Sequence, residues 1–519
     1  MSRTILAAAS MAALAACAGG AGKNSARVDA PVQPVLTKTG DPWFDGAQET
    51  LAQRKAARPN KRPARNVILF VADGMDPTTV AATRIYDGQS RGEDGEENLL
   101  SFERFAALAM SKTYNTDSQT PDSAGTMSAM VTGYKTKAGV ISLTDAAIRG
   151  DCASSLNAAA PTFIELAEDA GLATGVVSTA RLTHATPAAA YAHAPQRNWE
   201  RDSTTPDEAK AAGCRDIASQ LIDFDHGDGV DLAMGGGRSN FMTGEQADPE
   251  DPSQRGGRED GRDLVAEWTA KSAAHAFVWN KAQFDAIDPS TDPRVLGLFE
   301  RSHMQYEADR NDSAGGEPSL EEMTRKAIEI LSRNANGYAL VIEAGRVDHA
   351  HHDGNAARAL HDAQEYAQAV AAARELTDPA DTLIIVTADH GHTLTFAGYP
   401  LKGNDILGLA STAPEYDRVG DGIARATDGK PYTTLGYANG PGAVFAGDAD
   451  LSDGRPALSG DTVKQKDFLQ QSLVPTSSET HGGQDVTIYA DGPQAYLFSG
   501  TVEQNYIFHV IVDALGLEN

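Results

Sequence analysis

Ten residues, Glu343 to His352, run E-A-G-R-V-D-H-A-H-H and place two carboxylates among three histidines. They follow Tyr338 to Ile342, an apolar run that reads as a buried strand. Carboxylates beside a buried strand are costly unless something pairs with them, and a divalent cation is the commonest partner able to satisfy several at once. Asp348 and His352 stand four apart, so a helical turn puts both on one face where they could grip one ion. The plain alternative for this segment alone is a polar, solvated loop after a strand.

The same grammar recurs. Val67 to Val71 is followed by Ala72-Asp73-Gly74-Met75, Ala173 to Val177 by Ser178 through Thr186, and Leu383 to Val386 by Thr387-Ala388-Asp389-His390-Gly391-His392. Asp348 and His352 with a histidine from elsewhere would make one zinc site, and Asp389, His390 and Asp73 a second; Gly74 and Met75 offer Asp73 no local partner. Two ions about 3.5 to 4 Å apart suit in-line phosphoryl displacement. Glu343, Thr186 and the other oxygen of Asp73 form an oxygen-rich set that suits magnesium.

A nucleophile candidate lies in Pro121-Asp122-Ser123-Ala124-Gly125-Thr126, where Ser123 reads as the N-cap of a helix over 124–134. A serine hydroxyl is a poor nucleophile at neutral pH, and a zinc ion that binds its oxygen removes the need for a base. Ser123 as a cap and nothing more is the other reading. Arg197, in Gln196-Arg197-Asn198-Trp199, is the candidate for a bidentate grip on phosphate oxygens, against packing or a surface stack beside Trp199.

The elements that must position these residues alternate. Helical patterns cover 161–170, 320–333 and 356–376 between the apolar runs, so the chain reads as an α/β fold with a largely parallel sheet. In such sheets ligands bind outside the carboxyl ends of the strands, and all four runs deliver oxygen or nitrogen ligands there. Residues 244–262 and 398–480, rich in glycine and polar residues, read as excursions from the core. The chain closes with His481-Gly482-Gly483, a strand over 486–489 and a helix over 505–515.

With 72 acidic against 44 basic residues and a net charge of -28, the chain lacks the basic surface that nonspecific nucleic-acid binding requires. Arg3 ahead of the apolar run 5–16 reads as an export signal, too short to span a membrane as a mature helix. Leu14-Ala15-Ala16-Cys17 resembles a bacterial lipobox whose cysteine is lipidated; plain cleavage after a small residue is the alternative. Residues 18–40 read as a flexible tether, and 41–519 as the folded domain. If Cys17 carries lipid, Cys152 and Cys214 remain as an even pair for which an oxidising compartment favours a disulfide.

The assembled motifs resemble the alkaline phosphatase family, the animal branch more than the enteric bacterial form. They are N-V-I-L-F-V-A-D-G-M from Asn66, P-D-S-A-G-T from Pro121, R-L-T-H-A-T-P from Arg181, E-A-G-R-V-D-H-A-H-H from Glu343, T-A-D-H-G-H from Thr387 and E-T-H-G-G from Glu479, in order over about 42–519. The resemblance implies a three-layer α/β/α sandwich with a crown-like insertion over 398–480. It implies Asp348, His352 and His481 on a first zinc, Asp73, Ser123, Asp389 and His390 on a second, and Asp73, Thr186 and Glu343 on magnesium. Ser123 would form a phosphoserine intermediate while Arg197 holds the phosphoryl oxygens. His184, His349 and His392 follow the animal pattern and are expected beside the ligands rather than among them. Ala72 and Asp76 depart from the glycines common around D-G-M. The resemblance also implies a structural calcium at Glu250, the Phe299 carbonyl, Glu300 and Glu317, a Cys152–Cys214 disulfide, and a homodimer using the 398–480 region and the helix from Pro42. Localisation is expected to be exported, periplasmic or anchored in the outer membrane by lipid.

Rival readings are a phosphodiesterase or another two-metal hydrolase of the same fold, and a metal-binding surface lipoprotein without catalysis. Arg197 favours monoesters, since in such a site it would occupy the space a diester's second substituent requires. A sulfatase lacks support because no Cys/Ser-x-Pro-x-Arg segment surrounds the nucleophile.

Overall fold

A computed structural model describes residues 40–442 and 455–517. The expected leader, Cys17 and the tether up to residue 39 lie outside the described residues, as does a short part of 398–480. Within residues 1–58, the helix Pro42–Ala56 starts where Asp41 caps the N–H of Phe44 at 2.8 Å and Pro42 takes the first helical position. It buries no residue, and Trp43 and Leu51 are exposed.

The remainder carries fifteen described strands. The first eight are β1 Asn66–Ala72, β2 Ala107–Lys112, β3 Ala173–Arg181, β4 Leu232–Gly236, β5 His275–Val278, β6 Arg294–Leu298, β7 Tyr338–Ala344 and β8 Thr382–Thr387. Then follow β9 Gly391–His392, β10 Leu394–Phe396, β11 Leu435–Gly440, β12 Ser472–Pro475, β13 His481–Gly482, β14 Val486–Asp491 and β15 Ser499–Glu503. Ten form one sheet in the order β15-β2-β14-β8-β1-β7-β3-β4-β6-β5. Only β14 runs against its neighbours; every other pairing in the sheet is parallel.

The central strands are largely apolar and buried on both faces because helices cover each side of the sheet. In β1, Val67, Leu69 and Val71 pack with Met127 and Met130 of helix Ser123–Thr132, Phe163 of helix Phe163–Asp169 and Ile511 of helix Tyr506–Leu515. Ile68, Phe70 and Ala72 point the other way, to Met323 and Ile328 of helix Leu320–Leu331 and to Ala363 and Tyr366 of helix Ala356–Leu376. Two cores, one per face, make the three layers expected. Capping boxes at Thr162/Glu165 and Ser319/Glu322 start two of these helices.

A second sheet, β10-β11-β12, rests on helices of the main body: Leu394, Ile406, Leu435 and Tyr437 pack with Ala82, Ile85, Ala356 and Leu360. Its strands β11 and β12 lie in the region 398–480 expected as a crown-like insertion, and β10 just before it.

One local expectation is corrected. Ser123 is not the N-cap of its helix; Asp122 is, accepting the N–H of Ala124 at 3.0 Å, and Ser123 is the first helical residue. The helix also ends at Thr132 rather than Tyr134, because Gly133 turns left-handed with φ 78°.

Candidate metal centre and nucleophile

The four strands that carried ligand residues in the sequence are adjacent in the sheet, β8-β1-β7-β3. Register aligns their carboxyl ends: Val71 stands opposite both Glu343 and Thr387, and Glu343 opposite Ser178. Residues just past these points therefore converge. Helix Arg346–His352 then puts Asp348 and His352 one turn apart.

Three groups of ligand atoms result, each within 4.8 Å of one another: Asp348, His352, His392 and His481; Asp73, Asp389 and His390; and Asp73, His184 and Glu343. In the first, the Nδ1 of His352 lies 2.6 Å from the Glu479 carbonyl and that of His481 lies 2.8 Å from the Pro121 carbonyl. Each Nδ1–H donates there, which leaves a lone pair on Nε2. Those two Nε2 atoms are 3.0 Å apart, and each is 3.3–3.4 Å from Asp348 Oδ1. Two lone pairs and a carboxylate oxygen this close repel unless a cation sits among them. His392 differs: its Nδ1 is 2.6 Å from Glu479 Oε2 and its Nε2 2.8 Å from Asp348 Oδ1, so both nitrogens are committed to carboxylates. Burial works against its charge, but these hydrogen bonds lift the imidazole to about 10. Burial alone would raise Asp348 too; His352, His392 and His481 hold it well below the ordinary carboxylate range.

In the second group, His390 Nε2 is 3.2 Å from Asp73 Oδ1, 3.3 Å from Asp389 Oδ2 and 3.1 Å from the Ser123 hydroxyl. Asp389 Oδ1 accepts the N–H groups of Gly74 at 3.0 Å and His390 at 2.8 Å. Asp73 Oδ1, fully buried, accepts no hydrogen bond. In the third, the Thr186 hydroxyl is 3.4 Å from Asp73 Oδ2, Ser178 donates to Glu343 Oε2, and Glu343 Oε1 has no partner. Burial raises Asp73, Asp389 and Glu343, the last to about 8, and the neighbouring carboxylates add to each. Orphaned buried oxygens in mutually repelling carboxylates are the signature of residues that fit metal ions.

Gly74 is required here. It adopts φ 79°, and a Cβ would lie 2.4 Å from the His392 ring. Asp76, a departure from the family's glycines, caps helix Pro77–Ser90 through the Thr79 N–H at 2.8 Å.

Ser123 is 2% exposed. Arg197 reaches it through Asp122, whose Oδ2 takes Arg197 Nη1 at 2.7 Å; Arg197 Nη2 lies 3.0 Å from His184 Nε2. Arg197 is thus half-buried and faces the site rather than stacking on the surface. His349 Nδ1 is 3.0 Å from Arg346 Nη1, and its ring lies 5.4 Å from that of His184.

The candidate calcium residues are neighbours without forming so tight a group. Gln305 donates to Glu300 Oε1 at 2.8 Å and Glu317 Oε1 at 2.7 Å, while Glu250 Oε2 accepts from buried Arg238 at 2.9 Å. Glu317 Oε2 is buried without a partner, and burial, then Glu300 and Glu250, push this carboxyl up to about 8. Phe299 packs its ring on Phe284. Cys152 and Cys214 form a disulfide.

Sequence reasoning missed three supporting residues. Asp122 was readable as an N-cap. Glu479 sits in E-T-H-G-G, yet its tie to His392 spans 87 positions. His351, with no role from sequence, is buried between Thr79 Oγ1 at 3.2 Å and Tyr437 OH at 2.7 Å, so the second sheet braces the helix that carries Asp348.

The sequence profile of the alkaline phosphatase family matches residues 64–517. The alkaline phosphatase of Gadus morhua is 41% identical over 478 residues, 91% of this chain and 96% of that one. The human tissue-nonspecific alkaline phosphatase isozyme is 41% identical over 489 residues, 92% and 90% of the two chains. Among solved structures, the Thermus thermophilus alkaline phosphatase superposes with a TM-score of 0.61 at 23% identity, over 93% of this chain and 96% of that one. The alkaline phosphatase from the Antarctic bacterium TAB5 gives 0.58 at 21%, over 88% and 100%. The solved structures speak to the fold, and the profile with the two relatives to the family. Carboxylates and imidazoles built to fit metal ions around a buried serine thus stand in a chain that belongs to the alkaline phosphatase family and hydrolyses phosphate monoesters.

Proposed function

We propose that hydrolysis proceeds by a phosphoserine intermediate on Ser123, at a site for two zinc ions and one magnesium ion. The observation that carries this is the Ser123 hydroxyl 3.1 Å from His390 Nε2, which itself faces Asp73 and Asp389. Asp73, Asp389 and His390 with Ser123 would hold one zinc, Asp348, His352 and His481 the other, and Asp73, Thr186 and Glu343 the magnesium. Bound metal supplies positive charge that favours the ionised nucleophile and leaving oxygen.

The chain's own residues do the rest. Asp122 orients Arg197 so that its guanidinium can grip two phosphoryl oxygens. Ser123 Oγ forms a bond to phosphorus as the alcohol oxygen departs with a proton; water then forms the new P–O bond and the bond to Ser123 breaks, releasing phosphate. Two in-line displacements retain configuration at phosphorus. Arg197 crowds a second ester substituent, which favours monoesters over diesters. His392 and Glu479 orient Asp348, and His184 and His349 line the phosphate side, as neighbours of the ligands.

Rapid acid quenching of enzyme mixed with labelled phosphate tests this: label should be covalently bound at Ser123 and absent in Ser123→Ala. A Ser123→Ala enzyme with wild-type turnover contradicts it.

The finer placement is part of the same proposal. Residues 1–17 are a signal ending in lipidated Cys17, 18–40 a tether and 41–519 the phosphatase domain, so the enzyme is exported and lipid-anchored. No helix of the described residues is long and apolar enough to cross a membrane. Cys17→Ser should move activity from the membrane to the soluble fraction. The 398–480 region supports a homodimer, since Tyr399, Tyr416 and Val419 expose 96%, 75% and 62% of their surface. Light scattering should give twice the chain mass. Glu250, Phe299, Glu300 and Glu317 are proposed to hold calcium, supported by the unpartnered Glu317 oxygen.

A further inference from the structure

Beyond Arg197 the phosphate side continues into a wall of cationic and imidazole side chains that the reaction above does not use. The His184 ring is 5.2 Å from His303 and 5.4 Å from His349, and those two are 4.1 Å apart. Arg181 and Arg346 flank them. His303 belongs to no motif singled out in the sequence.

Two features of this wall are unresolved by the chain itself. Arg181 donates its backbone N–H to His303 Nδ1 at 3.2 Å. An imidazole that accepts at Nδ1 carries its proton on Nε2. That N–H meets Arg181 Nη1–H head-on, and protonating the ring leaves a donor at Nε2 as well. Arg181 has given Nε and Nη2 to Glu200 at 2.8 and 2.6 Å, and Nη1 otherwise reaches only Ser302 Oγ at 3.4 Å. Two donors converge with no acceptor between them. Arg346 is the second feature. Its guanidinium lies over the Tyr306 ring at 3.7 Å and its Nη1 contacts His349. Among the described residues no carboxylate lies within 4.0 Å of it, and its Nε is buried without a partner. In a chain of net charge -28, an arginine whose nearest acidic influence, Asp362, stays out of contact, set beside two converging donors, is a place for an anion.

We propose that Arg346, His303 and Arg181 bind a second anionic group of the substrate, so that the enzyme prefers phosphate monoesters whose leaving alcohol itself carries a phosphate or carboxylate. An oxygen of that group would accept from Arg181 Nη1 and His303 Nε2 together, and Arg346 would supply the charge. The wall selects substrates and takes no part in bond breaking. This rests on the phosphatase reading of Ser123 and Arg197.

The test is steady-state kinetics of the metal-loaded enzyme on a matched pair, propane-1,3-diol monophosphate and its bisphosphate. Wild type should favour the bisphosphate in kcat/KM by about tenfold at low salt, through KM, with the margin shrinking as ionic strength rises. Arg346→Met and His303→Ala should each cut the preference to below about threefold and leave the monophosphate within about twofold, while Arg346→Lys keeps most of it. Equal turnover of the pair by wild type overturns the inference while leaving the phosphatase reading intact. Equal losses on both substrates in the variants, with or without loss of metal, also overturn it, because the wall is then structural. Failure of wild type on both compounds overturns the phosphatase reading itself.

Discussion

Asp122 binds Arg197 with one carboxylate oxygen, at 2.7 Å, and with the other takes the N–H groups of Ala124 at 3.0 Å and Gly139 at 2.7 Å. One side chain therefore starts the helix that presents Ser123 and aims the guanidinium that faces it. Against its burial, Arg197 and the Gly139 N–H hold this carboxyl below its ordinary value.

Asp122→Asn keeps a capping oxygen and loses the charge on the Arg197 link. A hydrogen bond to a charged group contributes about 1.5–3 kcal/mol, so the inhibition constant for inorganic phosphate should rise by about tenfold or more. Turnover at saturation should change less. Unchanged inhibition would mean that Arg197 is aimed by something else.

Chelation should make stability strongly pH-dependent. Burial raises Glu343 to about 8 and also raises Asp73 and Asp389. A carboxyl raised on folding contributes stability that is present at low pH and is lost as pH climbs from the ordinary carboxylate range through its folded value. The metal-free protein should therefore lose Tm between about pH 5 and 8, a window set by Glu343. Bound cations replace those protons, so the loaded enzyme should keep its Tm over the same range, with a gain of about 4 kcal/mol at a thousandfold excess over Kd. Parallel Tm curves with and without chelator would contradict the metal assignment.

The disulfide closes a loop of 62 residues, and Cys152 packs with Trp199 and Ala209. Removing that restraint from the unfolded chain should cost about 4 kcal/mol. Cys152→Ser with Cys214→Ser should unfold at lower denaturant while keeping most activity at 25 °C. Unfolding midpoints that coincide would show that the bridge constrains nothing.

Far from the metals, at the amino ends of the strands, Glu168 is 2% exposed and accepts from the Thr174 hydroxyl. Burial first, then Asp231 and Asp228, push it up to about 8. By the same sign, it costs stability increasingly as pH rises from its unfolded value near 4.3 to about 8. Glu168→Gln should thus raise Tm at pH 9 and have little effect at pH 5, without altering activity. A pH-independent shift would assign the change to packing.

Much of the site was legible because its ligands follow strands. Val67–Val71, Tyr338–Ile342 and Leu383–Val386 read as buried strands from their apolar runs, Ala173–Val177 follows the same grammar, and each leads into its ligands within a few residues. The edge strands were harder. In β2 and β15 polar and exposed residues break the apolar run, and β5 and β6 are short, so periodicity had little to register. His303 and Glu479 escaped for another reason: their partners stand far away in the chain, and no local pattern encodes a distance across it.

The sequence by itself determined the α/β architecture, the strand ends that bear ligands and the residue types suited to metals, because hydrophobic period and donor chemistry are local properties. The tertiary structure decided the rest. Strand order β8-β1-β7-β3 brings Asp389, Asp73, Glu343 and Ser178 side by side. Pairing of β13 with β9 sets His481 opposite His392 and carries it to within 3.3 Å of Asp348. Which histidine keeps a free lone pair was settled there too, since a ring nitrogen's role follows from what its other nitrogen touches: a carbonyl for His352 and His481, a carboxylate on each side for His392.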